Sequence, residues 1–151
     1  MDFDIQHYET NVELVDYIPV DKIFPYRRFK LYSLDIESIK KDSILNVTSQ
    51  FEVTNDTSLN LMVGSVVEFC DVYEVCLEIT KPVAFNITPA MHHGVITHNR
   101  NYKFDQDYTK GNLNIMVWSA SSRANEDTQL KIEQDYGHLD AVIVSKSEGF
   151  R

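Results

Sequence analysis

Residues 43–69 read SILNVTSQFEVTNDTSLNLMVGSVVEF, and the fold turns on how that stretch is read. In its first half Leu45, Val47, Phe51 and Val53 share one parity, and Asn46, Thr48, Gln50 and Glu52 the other. In its second half Leu59, Leu61, Val63, Val67 and Phe69 repeat the pattern opposite Asn60, Gly64 and Glu68. Side chains alternate across a strand, whereas those on one face of a helix recur every 3.6 residues. Period two therefore predicts two strands, each with a dry face and a wet face. Asn55-Asp56-Thr57-Ser58 between them is turn chemistry. The expectation is a long β-hairpin.

The rest of the chain repeats this grammar. Phe29, Leu31 and, after Tyr32 and Ser33, Leu34 and Ile36 suggest a strand running into a turn at Ile39 to Asp42. Beyond the central stretch Asp71 to Thr80 reads as another strand, in which Val75, Leu77 and Ile79 alternate with Glu74, Cys76 and Glu78, and Lys81-Pro82 breaks it. Val83, Phe85 and Ile87 follow, then Met91 to Tyr102, a polar loop from Asp105 to Gly111, and Leu113, Ile115 and Val117. Leu130 and Ile132 lead to Asp135-Tyr136-Gly137, read as a turn or bulge. Ala141 to Val144 is mostly apolar, as expected of a strand buried on both faces. About eight to nine short strands with no long helix predict an all-β, antiparallel β-sandwich. Met1 to Phe24 shows little period and carries six acids against Lys22 alone. The parse is an extended N-terminal arm, 1–28, and a sandwich domain, 29–151.

A length of 151 residues suits one domain, and 43% hydrophobic residues supply a core. Eight Tyr and eight Phe favour sheets. A formal net charge of -9 argues against a nucleic-acid partner and against an anionic membrane. No run approaches the ~20 apolar residues of a membrane span. The first residues, MDFDIQHYETNVEL, lack the basic and apolar regions of a secretory signal, so the chain is expected to be cytosolic, made and assembled inside a cell, or already processed. Cys70 and Cys76 match neither a zinc nor a redox spacing. Six residues apart on one strand they would sit ~20 Å apart, so two reduced packing thiols are expected unless a bulge or turn at Asp71 to Tyr73 intervenes.

The order of pieces carries a resemblance. The strand Val47-Thr48-Ser49-Gln50-Phe51-Glu52-Val53 leads through a turn to a strand ending near Phe69. Leu113 to Val117 precede Ala120-Ser121-Ser122, and the chain finishes on Asp135-Tyr136-Gly137-His138-Leu139 and a hydrophobic last strand. This resembles the tumour-necrosis-factor/complement C1q-like jelly roll over roughly residues 30 to 146. The resemblance implies that Tyr136-Gly137-His138-Leu139 lies near a subunit interface. In style the chain is similar to capsid-decorating (cement) and fibre-head proteins of tailed bacteriophages, which are often acidic, carry an N-terminal arm and commonly form trimers.

Three motifs invite a chemical reading. His92-His93-Gly94-Val95-Ile96-Thr97-His98 offers imidazoles, but on a strand His92 and His98 share a face ~20 Å apart and His93 points to the other. One zinc ion, with ligands at ~2.1 Å, would need a sharp turn at Gly94 to collect them. Asp105-Gln106-Asp107-Tyr108-Thr109 has carboxylates at calcium-loop spacing, without the Gly and Glu positions of an EF-hand. Its D-x-D-x-T order also resembles a phosphatase nucleophile loop, which needs a parallel sheet with helices. Ile23 to Phe29 interleaves aromatics with Arg27 and Arg28, either a base-stacking platform or a proline-containing edge segment, and the acidic total favours the edge. No nucleophile elbow or phosphate loop is present.

The expected function is therefore structural and non-enzymatic, with no catalytic residues and no cofactor. The chain reads as a virion decoration or cement protein that forms a homotrimer and seats on a major capsid or other virion protein. The expected interface residues are Tyr136, Trp118 and Tyr102, with Tyr26, Arg27 and Arg28 on the arm. One alternative is a lectin-like module using Asn99, Arg100, Asn101, Tyr102 and Trp118, or the acidic loop at Asp105 and Asp107. The other is a metal-dependent β-sandwich enzyme built on His92, His93 and His98.

Overall fold

The computed structural model describes residues 2–10, 15–89 and 93–146. Among these described residues ten strands follow in order: β1 (Phe3–Thr10), β2 (Tyr17–Pro19), β3 (Phe29–Ile36), β4 (Ile44–Thr54), β5 (Leu61–Asp71), β6 (Cys76–Glu78), β7 (Val83–Ile87), β8 (His93–Lys103), β9 (Gly111–Ala120) and β10 (Gln129–Lys146). They form two five-stranded antiparallel sheets. The first runs β1-β10-β4-β8, with β2 also paired to β10. The second runs β3-β9-β5-β6, with β7 also on β5. The chain is an all-β jelly-roll sandwich. Between the sheets lies one core, in which Leu45, Val47, Phe51 and Val53 of β4 meet Leu61, Val63, Val67 and Phe69 of β5.

The central stretch folds as two strands with the expected inward residues, but it is not a hairpin. β4 pairs β10 and β8, while β5 pairs β9, β6 and β7, so residues 55–60 arch from one sheet to the other. Two strands with one apolar face each can lie side by side or face each other across a core. Here they face each other. Buried Asn55 shapes the arch: its Nδ2 donates to the carbonyls of Leu59 (2.8 Å) and Ile87 (2.9 Å). Its Oδ1 accepts from Thr57 N (3.0 Å) and Thr57 Oγ1 (2.7 Å).

Three further expectations give way. Asp71 to Thr80 is not one strand. Asp71 Oδ1 accepts from Tyr73 N (2.8 Å) and Val75 N (3.0 Å), which turns the chain back on itself. Cys70 and Cys76 then face each other across β5 and β6, 4.0 Å apart at Cα, and form a disulfide rather than two free thiols. Ala141 to Val144 lies in the middle of its sheet, yet only Ala141 and Ile143 are buried, so one face of that strand stays open. The stretch at Asp135-Tyr136-Gly137 is a bulge inside the 18-residue β10, where the register on β4 shifts between Glu133 and His138. A Cβ at Gly137 would fall on the Tyr32 hydroxyl from β3, so the bulge needs glycine to let the sheets close.

The segment read as an arm supplies sheet. β1 pairs β10 over its whole length and β2 pairs β10 at Gln129 to Lys131. The loop that follows is tied down by Asp21, which accepts from the Arg27 amide (2.6 Å) and Arg27 Nε (2.9 Å). Those bonds hold the Asp21 carboxyl below its ordinary range.

Candidate functional site

The outward faces of the two sheets differ. On the second sheet the chain covers itself around Trp118. Trp118 of β9 lies over Gly64 of β5, where a Cβ would collide with the indole. Arg28 stacks on the ring, 4.5 Å from its centroid, and is held there by Glu68 (3.1 Å) and Glu78 (3.6 Å). Trp118 is left 8% exposed.

On the first sheet the outward face is open. The register Ile5↔Val144↔Ile44 places three aliphatic side chains in one row, with Phe3 and Val142 beside them. Phe3, Ile5 and Ile44 are 59%, 68% and 48% exposed. Isolated exposed hydrophobes are ordinary, but a contiguous group on a sheet face marks an interaction surface. β1 is inverted to make it. Its apolar residues Phe3 and Ile5 face outward, while Gln6 and Tyr8 face inward, where Gln6 Nε2 donates to the Tyr8 hydroxyl (2.9 Å) and the Ser38 carbonyl (3.2 Å). Further along, the face becomes polar. Asn46 Nδ2 donates to Asn101 Oδ1 (2.8 Å), and Thr48 pairs with Asn99 and Asp140. Lys103 and Lys146 flank the apolar end, and Glu9, Asp140, Glu52 and Glu133 lie towards the other.

The residues expected to form an interface do not share one surface. Trp118 and Arg28 lie on the second sheet, Arg27 on Asp21, and Tyr26 edge-on to Phe24 at 5.5 Å. Tyr102 packs inward against Phe104 (5.1 Å), and burial raises its hydroxyl pKa. Of Tyr136 only the backbone is described, within β10. The lectin-like set is also divided: Asn99 and Asn101 face outward on β8, Arg100 has the opposite parity, and Trp118 is in the other sheet.

The histidine motif is divided as well. His92 lies outside the described residues. His93 is exposed on the outward face, whereas His98 points into the core, where its Nε2 and Ser65 Oγ are 2.9 Å apart. This bond ties β8 to β5 across the sandwich, and burial pushes the His98 pKa down. Ser49, opposite His98 on β4, is buried with no partner for its hydroxyl among the described residues. In the acidic loop Asp105 is exposed, and Asp107 Oδ1 accepts from the Lys41 amide (2.6 Å), which fastens the loop. Among the described residues the metal-type cluster is Glu68, Cys70 and Cys76, and both its sulfurs are in the disulfide.

No known family model and no curated protein matches the sequence. Solved structures do resemble the fold. A chain from infectious bursal disease virus, Gx strain, superposes with a TM-score of 0.63 at 11% identity, over 92% of this chain and 32% of that one. The VP2 subviral particle of the same virus gives 0.58 at 9% identity, over 93% and 32%. The Eiger tumour necrosis factor of S. frugiperda gives 0.50 at 9% identity, over 97% and 96%. The chain thus spans about a third of the viral chains it matches and nearly all of the cytokine. At these identities the likeness is one of fold.

Proposed function

We propose that this protein is a non-enzymatic structural module of a virus particle, a decoration or cement protein that associates with copies of itself, as a trimer, and seats on a major capsid or other virion protein. The observation that carries the reading is the inverted β1: an edge strand that turns Phe3 and Ile5 away from its own core, beside Ile44, Val142 and Val144. The occupant that fits this face is a second copy of the chain. Its mixed charges let a copy set Lys103 or Lys146 against Glu9 or Asp140, while elsewhere a net charge of -9 makes copies repel. The resemblance to viral capsid chains and to a tumour necrosis factor supports an assembling jelly roll. Attachment to a particle stabilises it by mass action, because the decoration binds only the assembled lattice.

The test is absolute mass by light scattering. The full chain is expected as an oligomer, and Ile5→Asp together with Ile44→Asp as a folded monomer. A monomeric full chain at high micromolar concentration, or an oligomer indifferent to both substitutions, refutes this placement of the interface.

A further inference from the structure

At the end of the sandwich where β4 passes into β5 lies a cleft of about 510 Å³. That volume is within the ~300–1,000 Å³ of small-molecule sites. Its polar lining is Ser58, Asn60, Asn86, Ser121, Ser122 and Arg123, and no carboxylate is among the described residues that line it. In a chain with 23 acids this is a local reversal of sign. Among the described residues Arg123 has no ion pair, and the side chains of Ser58, Asn60, Asn86 and Ser122 make no hydrogen bond. Met62 and Ala120, paired across β5 and β9, add an apolar patch.

The walls are formed in advance. The arch is held by Asn55, as described. The opposite loop is held by Asn125 Oδ1, which accepts from Asp127 N (2.8 Å) and Thr128 Oγ1 (3.2 Å), and by Ala124 N donating to the Ser121 carbonyl (3.1 Å). Loops fixed by a rigid scaffold are where binding residues concentrate. A preformed site also loses less entropy on binding.

We propose that this cleft binds an acidic sugar, with Arg123 on its carboxylate or sulfate, the Ser and Asn side chains on its hydroxyls, and Met62 and Ala120 under its C–H face. One guanidinium matches a single anionic group. A nucleic acid would need several cations and an aromatic platform, and this lining has neither. The inference stands apart from the assembly reading, since the cleft is at the end of the sandwich and not on the open face of the first sheet.

The test is an amide chemical-shift titration of the full chain with glucuronic acid, N-acetylneuraminic acid, glucose and inorganic sulfate. Each is carried to about 10 mM, enough to fill a millimolar site. Both acidic sugars should shift residues 58–62, 86 and 120–123, and glucose should shift them far less. Arg123→Ala should weaken the response at least about tenfold, and Arg123→Lys should restore part of it. Arg123 is exposed, so both variants should keep the parent's melting temperature. No shift at these residues overturns the proposal. So does a sulfate response equal to that of the sugars, because charge alone would then be read.

Discussion

Asn55→Ala should be among the costliest single substitutions outside the apolar core. The side chain is fully buried and makes four hydrogen bonds, two donated and two accepted. The bond to the Ile87 carbonyl is buried, and a group stripped of its partner there costs about 1–3 kcal/mol. The other three bonds are partly buried, so water replaces them in part, at about 0.5 kcal/mol or somewhat more each. The total is about 3 kcal/mol. For a domain of this size that lowers the melting temperature by roughly 10 °C. Urea denaturation of parent and variant, with the slopes compared, gives the number directly. Asn55→Asp separates the two halves of the network, since it keeps the acceptors for Thr57 and loses the donors to Leu59 and Ile87. It should lose at least half as much as Asn55→Ala. A cost below about 0.5 kcal/mol for Asn55→Ala, the range of an ordinary surface change, refutes the claim that this residue holds the arch.

Three other outcomes follow from the geometry. Trp118 is the one tryptophan, so its emission reports the covered face: Arg28→Ala should shift it to the red, and Gly64→Val should both shift it and cost about 1–3 kcal/mol from overpacking. Unshifted emission in both would mean the ring is not seated there. The buried imidazole of His98 has its pKa below the ordinary 6.5, so as pH falls the unfolded chain takes up that proton first. Its stabilising contribution is present above about pH 6.5 and is lost as the pH drops below it, and His98→Gln should flatten the stability–pH curve between pH 7 and 5; an unchanged slope would remove His98 as the cause. Replacing Cys70 and Cys76 together with serine should cost about 2 kcal/mol, the chain-entropy value for so short a loop, and reducing agent should destabilise the parent but not the variant. A denaturation curve insensitive to reductant would count against the bridge.

The inward residues of β4 and β5 were legible because period two depends only on each strand's own sequence. Which strands become neighbours was not, since an arch and a hairpin bury the same parity. Six residues between the strands, against the two of the tightest hairpins, was the local sign available. The disulfide was missed for a similar reason. Val75, Leu77 and Ile79 extend the alternation without interruption, and only the Asp71 side chain, capping Tyr73 and Val75, shows that the chain has turned. The bulge at Gly137 was legible as a turn or bulge. Its cause was not, because Tyr32 is more than a hundred residues away in sequence. The cleft around Arg123 unites three loops and has no sequence signal that joins them.

β1 is the instructive failure. Phe3, Ile5 and the residues between them do alternate, yet the stretch reads as an arm because its apolar parity is paired with Asp4 and Gln6 and followed by further acids. A strand whose core-facing side is Gln6 and Tyr8 gains little from burying that side, and it is held by its ladder to β10. Its apolar side contributes nothing to the stability of a single chain. Such a side costs solubility unless something covers it, and the same row continues into Val144 and Ile44, residues of two interior strands. A row of exposed and half-buried aliphatics across three neighbouring strands is hard to reconcile with an isolated sandwich, and it has no cover of the kind that Arg28 lays over Trp118 on the other sheet. The difference between the two faces, more than any one residue on either, is the physical argument behind the proposed assembly and the reason its test substitutes Ile5 and Ile44.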